Sequence, residues 1–145
     1  SATSACVWSV VVARKKCHTT GEWSKKRCGV AYVSVNAVTK RDRYPLPRID
    51  TLLESAIGKV FSQFDAASGF WKINMSPSSV EKTAFITTEG LFEWLRMPFG
   101  LCNAPSVYQA MMDEAFLPLR STCVKVYIDD VLVHTDGADV DAAIL

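Results

Sequence analysis

The chain has 145 residues, of which 49% are hydrophobic, and its formal net charge is +1 at pH 7. That length supports one hydrophobic core and is too short for two ordinary domains. The sequence has no apolar run of membrane-spanning length, no secretory signal pattern and five cysteines without a Cys-x-x-Cys pair, so we expect a reducing compartment, no disulfide frame and no membrane partner.

The charges are unevenly distributed along the chain. Residues 1–48 hold ten Lys and Arg against two acidic residues, whereas residues 49–145 hold six basic and 13 acidic residues. This division is typical of a protein in which one part contacts phosphates and another binds cations. A charged surface without a function is the alternative.

The first half of the chain alternates between predicted strands and loops. The apolar run 7–14 predicts a strand, 15–26 a hairpin loop and 28–35 the returning strand. Two prolines keep 41–48 extended, because each proline disfavours a helical conformation in the residue before it. Residues 50–56 carry apolar side chains at helical spacing and predict a short helix.

The second half predicts a strand, a hairpin and a helix before the last apolar segment. A strand over 60–65 ends at Asp65 and is followed by a turn of small residues, 66–69. Residues 83–88 and 91–97 flank a Glu-Gly turn signal and predict a hairpin. A helix is predicted from Asn103 to about Phe116, and 136–145 has a weak helical pattern. The expected core stripe of the long helix is Val107, Met111, Met112 and Phe116.

Two adjacent carboxylates, Asp129 and Asp130, interrupt the apolar run 126–133. Neighbouring like charges resist burial in a sheet, so we expect both at the tip of a tight hairpin with arms 125–128 and 131–134. Either open water or a divalent cation must then neutralise them. A solvated turn and a metal site are equally good interpretations of this segment alone.

The order of these elements predicts an α+β fold. If strand 60–65 pairs antiparallel beside the Asp129/Asp130 hairpin, with the long helix on one face, the sheet is of the split β-α-β type. Asp65 then lies next to Asp129 and Asp130. Three carboxylates at one edge would form a phosphoryl-transfer centre with two Mg²⁺ ions about 3.5–4 Å apart.

Tyr127-Ile128-Asp129-Asp130 resembles the Tyr-x-Asp-Asp box of reverse transcriptases, and longer blocks accompany it. The segments 36–50, 61–65 with 68–70, 81–85 and 93–105 are similar to successive motifs of gypsy-type long-terminal-repeat retrotransposon polymerases. The resemblance implies a fingers-and-palm fold and DNA synthesis from deoxynucleoside triphosphates on a primed RNA or DNA template. It also implies two Mg²⁺ ions, for which Mn²⁺ can substitute.

The resemblance carries roles for individual residues. The implied catalytic set is Asp65, Asp129 and Asp130, with Ala66 added among the metal ligands. Nucleotide contacts fall to Lys15, Arg27, Ala66, Ala67, Ser68, Phe70, Phe99 and Gly100, and Tyr127 and Ile128 lie by the primer end. Phe70 is the aromatic expected to crowd the ribose 2′ position. The family places a Trp-Arg pair after the lysine run, whereas Trp23 is followed here by 24–27. Arg27 therefore either takes that arginine's role or the role is lost.

The resemblance also implies how the chain is organised. Residues 1–48 would be the basic portion of the fingers and 49–145 the fingers and palm, with the family's thumb and RNase H regions absent from this sequence. Those remaining polyprotein domains are expected partners, and the expected location is a cytoplasmic retrotransposon particle. Without a thumb to clamp the duplex, we expect this chain alone to polymerise weakly or not at all.

Two other functions fit parts of the sequence. A catalytically inactive remnant would bind nucleic acid through its basic residues, with a steep salt dependence and no response to divalent metal or nucleotide. A metal-dependent phosphatase or nuclease would use the carboxylates but would have no use for Phe70 or for 98–100.

Overall fold

The computed structural model describes residues 7–16 and 23–135, and for 12–16 and 23–28 it describes the backbone alone. Residues 17–22 of the predicted hairpin loop and the predicted helix at 136–145 lie outside the described residues. The elements are β1 Trp8–Lys16, β2 Trp23–Val30, α1 Val33–Val38, α2 Ile49–Glu54, β3 Val60–Asp65, α3 Pro77–Val80, β4 Phe85–Thr87, β5 Gly90–Phe92, α4 Ala104–Ala115, β6 Val124–Tyr127 and β7 Asp130–Thr135. Within these limits, every helix is too short or too polar to cross a bilayer.

The chain divides into two compact units. One combines Ser1–Arg41 with Phe70–Ala104, and we call it the aromatic unit because of the ring contacts described below. The other combines Asp42–Gly69 with Pro105–Leu145 and is called the aspartate unit. Each unit is therefore built from two separate stretches of chain.

The aromatic unit contains a four-stranded sheet in the order β2-β1-β4-β5. β1 pairs antiparallel with β2 and parallel with β4, and β4 pairs antiparallel with β5. The predicted hairpins are thus confirmed with different bounds. Residues expected in the first loop extend the strands β1 and β2, whereas the second hairpin is shorter than 83–88 and 91–97.

The prediction of a strand over 28–35 is wrong in its second half. β2 ends at Val30, and Val33–Val38 forms the helix α1. β-Branched residues favour strands when nothing else acts on them. Here long-range hydrogen bonds from Asn36 to the backbone of Gly100 and Cys102 accompany the helical turn, so tertiary contacts outweigh local propensity.

The aspartate unit contains a three-stranded antiparallel sheet in the order β3-β7-β6. β3 and β6 therefore run in the same direction with β7 between them, and α4 lies between β3 and β6 in sequence. This is the split β-α-β arrangement. The predicted pairing of strand 60–65 with the Asp129/Asp130 hairpin is confirmed.

One face of this small sheet is buried. Val124, Val126 and Val131 are each less than a tenth exposed and alternate with less buried residues along their strands. On α4, the buried side chains include Met112, as predicted, but Val107 is exposed. The fully buried positions are instead Tyr108 and Gln109, with Asp113 nearly so, and two of these three are polar or charged.

The helix α2 borders the opposite face of the sheet. Its residues Ile49, Leu52 and Leu53 line a cavity of about 270 Å³ together with Gln63, Lys125, Tyr127, Asp130 and Leu132. Lys125 is the register partner of Leu132, and Tyr127 is that of Asp130, so these side chains project from one face. Residues 41–48, which lead into α2, form no helix, as the two prolines predict.

Candidate active site

Two of the predicted catalytic aspartates are direct neighbours in the ladder between β3 and β7. β3 delivers Asp65 as its last residue, and β7 begins with Asp130. The two are register partners, so their side chains start from adjacent strands on the same face. Both are exposed, and Gln63 Nε2 donates a hydrogen bond of 3.1 Å to Asp130 Oδ1.

The hairpin tip differs from the prediction by one residue. Tyr127 pairs with Asp130, so the turn consists of Ile128 and Asp129, and Asp130 lies in the strand β7 instead of at the tip. A two-residue hairpin turn requires positive φ values, which Gly or Asn adopts most easily. Ile128 supplies one with φ of 51°, which is uncommon for a β-branched residue.

Asp129 packs against the segment that follows β3. Its backbone oxygen accepts a hydrogen bond of 2.9 Å from the amide of Ala66. Its side-chain Oδ1 is buried and lies so close to Gly69 that a Cβ atom added there would overlap it. The same Cβ would lie 2.8 Å from Tyr108 Cζ. Any larger residue at position 69 would force the Asp129 and Tyr108 side chains to move.

The turn after Asp65 is made of small side chains, as predicted. Ala66 is half-buried, whereas Ala67 and Ser68 are exposed. Ser68 has φ of 57°, the left-handed conformation that lets the chain turn sharply into Gly69. The backbone of this turn is therefore accessible beside the aspartates.

The pKa of Tyr108 reflects the negative charge of the nearby aspartates. Burial raises the pKa of its hydroxyl, and the negative charges of Asp129 and Asp65 raise it further. Both carboxylates therefore act on one phenol in the first half of α4. The aspartate unit thus places its predicted site residues on neighbouring stretches of backbone, namely the end of β3, the turn after it and the β6–β7 hairpin: Asp65, Ala66 to Ser68, Tyr127, Ile128, Asp129 and Asp130.

A polar network on α4, which was not predicted from the sequence, holds the backbone of the β6–β7 hairpin. Gln109 Nε2 donates to Asp113 Oδ1 at 2.9 Å and to the Val126 carbonyl at 3.2 Å, while Gln109 Oε1 accepts from the Ile128 amide at 2.7 Å. Tyr44 donates to Asp113 Oδ2 at 2.6 Å. The sequence signal was available as two polar residues spaced i, i+4 on a helix.

In the aromatic unit, two of the predicted nucleotide contacts touch each other. The rings of Phe70 and Phe99 have centroids 5.2 Å apart, and Phe99 also meets Trp71 at 5.9 Å. Trp71 stacks on Trp94 at 6.2 Å, and Trp94 meets Phe85 at 5.4 Å. Phe70 thus belongs to a row of packed rings.

Gly100 follows Phe99 in a loop that only glycine can form. Its φ is 104°, and an added Cβ would lie 2.7 Å from the Val30 carbonyl oxygen. Asn36 holds this loop, because its Nδ2 donates to the Gly100 carbonyl at 2.8 Å and its Oδ1 accepts from the Cys102 amide at 2.9 Å.

The remaining predicted contacts, Lys15 and Arg27, are on the hairpin of the aromatic unit. Lys15 is in β1, where it pairs with Ser24 after a register shift, and Arg27 is in β2 opposite Ala13. Their side chains lie outside what the structure describes. Both roles stay predictions.

The family described as "Reverse transcriptase (RNA-dependent DNA polymerase)" matches residues 14–145. The chain belongs to the reverse transcriptase family.

Relatives with known names come from plant viruses and insect transposons. The chain is 45% identical over 116 residues to the enzymatic polyprotein of cauliflower mosaic virus (strain Strasbourg), covering 79% of this chain and 17% of that protein. It is 40% identical over 129 residues to the retrovirus-related Pol polyprotein from transposon opus of Drosophila melanogaster, covering 88% of this chain and 13% of that protein. The chain therefore spans less than a fifth of these relatives.

Solved structures show the same fold. The foamy viral protease-reverse transcriptase in complex with an RNA/DNA hybrid superposes with a TM-score of 0.80 at 22% identity, covering 98% of this chain and 18% of that one. The native prototype foamy virus protease-reverse transcriptase gives a TM-score of 0.73 at 25% identity, covering 92% of this chain and 17% of that one. The α+β fingers-and-palm fold expected from the sequence is confirmed.

Reverse transcriptases use divalent metal ions, and the donors in this chain fit them. No three His, Cys, Asp or Glu side chains of residues 7–16 and 23–135 are grouped as a ready-made metal cluster. Mg²⁺, however, is usually held by one or two carboxylates, with water and substrate phosphates as its other ligands. Asp65, Asp129 and Asp130 supply hard oxygen donors on adjoining backbone positions, which suits that mode of binding.

Proposed function

We propose that this chain is the fingers and palm region of a gypsy-type retrotransposon reverse transcriptase, which adds deoxynucleotides to a primer on an RNA or DNA template. The observation that supports it best is the register of Asp65 opposite Asp130, with Asp129 in the adjoining turn. The gypsy-type assignment rests on the motif blocks at 36–50 and 93–105.

In this reaction the primer 3′-oxygen forms a bond to the α-phosphorus of the triphosphate, and the bond to pyrophosphate breaks. Asp65, Ala66, Asp129 and Asp130 would hold two Mg²⁺ ions, for which Mn²⁺ can substitute. When bound, the ions lower the pKa of the 3′-hydroxyl and neutralise charge on the triphosphate. The chain's own part is to hold its carboxylates in place, which the ladder and the buried Gly69 contact achieve.

Nucleotide selection would fall to the aromatic unit and the small-residue turn. Phe70 is packed on Phe99, so its ring is well suited to exclude a ribose 2′-hydroxyl. Gly100, the residue after Phe99, is exposed and has no side chain to obstruct a nucleotide. Ala67 and Ser68 are small enough for phosphates to approach their backbone, and Lys15 and Arg27 would neutralise the triphosphate.

The partners and location follow from the same proposal. The substrates are a primed RNA or DNA template and deoxynucleoside triphosphates, and the basic residues of 1–48 would contact the nucleic-acid phosphates. The remaining polyprotein domains, a thumb and an RNase H region, would act with this chain. Replication would take place in a cytoplasmic retrotransposon particle.

Metal affinity tests the proposal on the 145-residue chain itself. We expect Asp129→Asn and Asp65→Asn each to weaken Mn²⁺ binding by at least about tenfold, because each removes a charged ligand. Isothermal titration with Mn²⁺ and Mg²⁺ measures the affinities. Asp50→Asn is the matched control, since Asp50 is an exposed aspartate of the same unit and forms only a 3.6 Å surface pair with Arg48.

Equal Mn²⁺ affinity in the wild type and Asp129→Asn would refute the metal site.

Primer–template binding separates the proposal from a catalytically inactive remnant. A polymerase site should bind a primed template more tightly when Mg²⁺ and the matching triphosphate are added, whereas a remnant's binding should fall with salt and ignore both. Primer extension by this chain alone should be slow at best.

A further inference from the structure

Gln109 is a fully buried side chain whose amide is used completely. Both Nε2 hydrogens have acceptors, the Asp113 carboxylate and the Val126 carbonyl, and Oε1 accepts from the Ile128 amide. The two backbone groups belong to residues on either side of Tyr127. The Gln109 amide thus provides one hydrogen-bond donor and one acceptor to the backbone of the hairpin. A residue of a neighbouring strand would provide the same two groups to β6. Because β6 is at the end of the strand order β3-β7-β6, this contact is on the open side of the hairpin.

The orientation of this amide is set from outside the hairpin. If the amide were rotated by half a turn, Oε1 would face Asp113 Oδ1 and the Val126 carbonyl, which are both acceptors, and Nε2 would face an N–H group. Asp113 is itself fixed, because its other oxygen accepts from Tyr44 at 2.6 Å and lies 3.3 Å from Arg120 Nη1. The chain of contacts therefore runs from Tyr44 through Asp113 and Gln109 to the turn.

The turn needs such support. Ile128 adopts φ of 51°, a conformation that β-branched residues disfavour. Its amide donates to Gln109 at 2.7 Å, and the next residue is Asp129. A bond to the backbone immediately before Asp129 controls the direction in which that carboxylate leaves the hairpin.

We infer that Gln109, oriented by Asp113 and Tyr44, is a positioning residue for the Asp129 carboxylate. It acts by holding Ile128 in the left-handed conformation and does not itself contact the metal or the substrate. This assignment rests on the proposed function for its purpose, since a displaced carboxylate matters only where a metal is bound. The conformational part can be measured without any metal.

The test uses the ¹⁵N-labelled 145-residue chain and two substitutions of Gln109. Gln109→Met has a similar length and no hydrogen bonds, whereas Gln109→Glu keeps the acceptor for the Ile128 amide but sets a second carboxylate against Asp113. In Gln109→Met we expect hydrogen exchange at the Ile128 amide to be at least about tenfold faster than in the wild type, and Mn²⁺ binding to be weakened several-fold. In Gln109→Glu, the repulsion between the new carboxylate and Asp113 should weaken Mn²⁺ binding. Binding should recover as the pH falls and the carboxyl group introduced at position 109 becomes protonated.

Two milder variants keep the test valid if Gln109→Met does not fold. Tyr44→Phe removes one hydroxyl from a half-buried ring and should also speed exchange at Ile128, by less than Gln109→Met. Asp113→Asn should do the same, and Glu114→Gln, the equivalent change at the next and exposed position of α4, should leave exchange and Mn²⁺ affinity unchanged.

Wild-type exchange at Ile128 in a folded Gln109→Met or Tyr44→Phe variant would overturn the inference. It would also be overturned by faster exchange with unchanged Mn²⁺ affinity, because the turn would then not position the carboxylate. If the wild type itself binds no Mn²⁺, the proposed function fails, and shifted Ile128 and Asp129 amide resonances in Gln109→Met still decide whether Gln109 holds the turn.

Discussion

In each of the two units, one side-chain amide forms hydrogen bonds to the backbone of a loop that carries predicted site residues. In the aromatic unit, Asn36 donates to the Gly100 carbonyl and accepts from the Cys102 amide. In the aspartate unit, Gln109 donates to the Val126 carbonyl and accepts from the Ile128 amide. In both, one side-chain amide links backbone groups two residues apart in a segment that carries predicted site residues.

The surroundings of the two amides differ. Gln109 is fully buried, whereas Asn36 is half-buried. A buried amide must have all its polar atoms satisfied, so Gln109 comes with Asp113 and Tyr44, and its orientation is unique. A half-buried amide can exchange its partners for water. We therefore expect the aspartate unit to hold its predicted site residues rigidly and the aromatic unit to tolerate more change in the loop of Gly100.

Gly69→Ala should give the largest effect and is the strongest challenge to the rigidity of the aspartate unit. Its new Cβ would overlap Asp129 Oδ1 and lie 2.8 Å from Tyr108 Cζ. We expect a loss of about 3 kcal/mol in the free energy of unfolding, at the upper end for overpacking a core, and loss of Mn²⁺ binding. Urea denaturation and titration calorimetry measure the two.

Gly29→Ala is the matched control in the aromatic unit. The nearest atoms to its new Cβ would be 3.9 Å away, which is ordinary contact, so stability should change by less than about 0.5 kcal/mol. If Gly69→Ala were equally harmless, the contact between Asp129 and the turn would be loose, and the assignment of rigidity to the aspartate unit would be wrong.

Asn36→Leu should give a smaller effect than the loss of Gln109. It removes two hydrogen bonds to the loop of Gly100, but water can reach a half-buried site, so we expect a loss of about 1–2 kcal/mol. Gln109→Met should cost about 2–3 kcal/mol, because it leaves Asp113 and the Ile128 amide short of partners in a buried place. Urea denaturation of both variants ranks them, and an equal or reversed order would refute the distinction between the two amides.

Alkaline pH should have the smallest effect and should act on the same network. The hydrogen bond that the Tyr44 hydroxyl donates to Asp113 raises the pKa of Tyr44, so the folded protein favours the protonated phenol. This stabilisation is complete below the ordinary tyrosine pKa of about 10 and is lost as pH rises through the higher pKa of the folded state. Stability of the wild type should therefore fall above about pH 10.

Tyr44→Phe is the measurement that isolates this residue. Urea denaturation between about pH 8 and about pH 11 should show that the wild type and Tyr44→Phe differ in their free energy of unfolding. This difference should become smaller as the pH rises. Tyr32 and Tyr108, whose pKa values are raised chiefly by burial, contribute equally to both proteins. A gap that stays constant would mean that the hydroxyl's bond to Asp113 adds nothing to stability.

The sequence was sufficient for features with local signals. The strand 60–65 has the bounds of β3, and its pairing with the aspartate hairpin is confirmed. α4 begins and ends within a residue of the predicted helix, since Pro105 and the apolar spacing mark it clearly. The bounds of β3 and α4 depend on proline restrictions and the period of the apolar residues, which are local signals. The pairing of β3 with the hairpin was inferred from the order of the elements and the need to place the carboxylates at one edge.

Features decided by distant contacts were missed. α1 formed where β-branched residues favoured a strand, and its Asn36 bonds a loop 64 positions away. Asp130 lies in β7 because the turn begins at Ile128, a residue without the usual preference for positive φ. Gln109 and Asp113 were left out of the predicted stripe because an apolar pattern cannot reveal polar residues that satisfy each other.

The pairing of β3 with β7 also has a consequence for how the protein folds. Gln63 and Asp130, which are hydrogen-bonded across this ladder, are separated by 67 positions in the chain. Closing so long a loop carries an entropy penalty that local elements such as α4 and the hairpin β6–β7 do not carry. The carboxylates therefore meet only after both stretches of the aspartate unit have been synthesised, so the site is absent from a nascent chain that ends before β7.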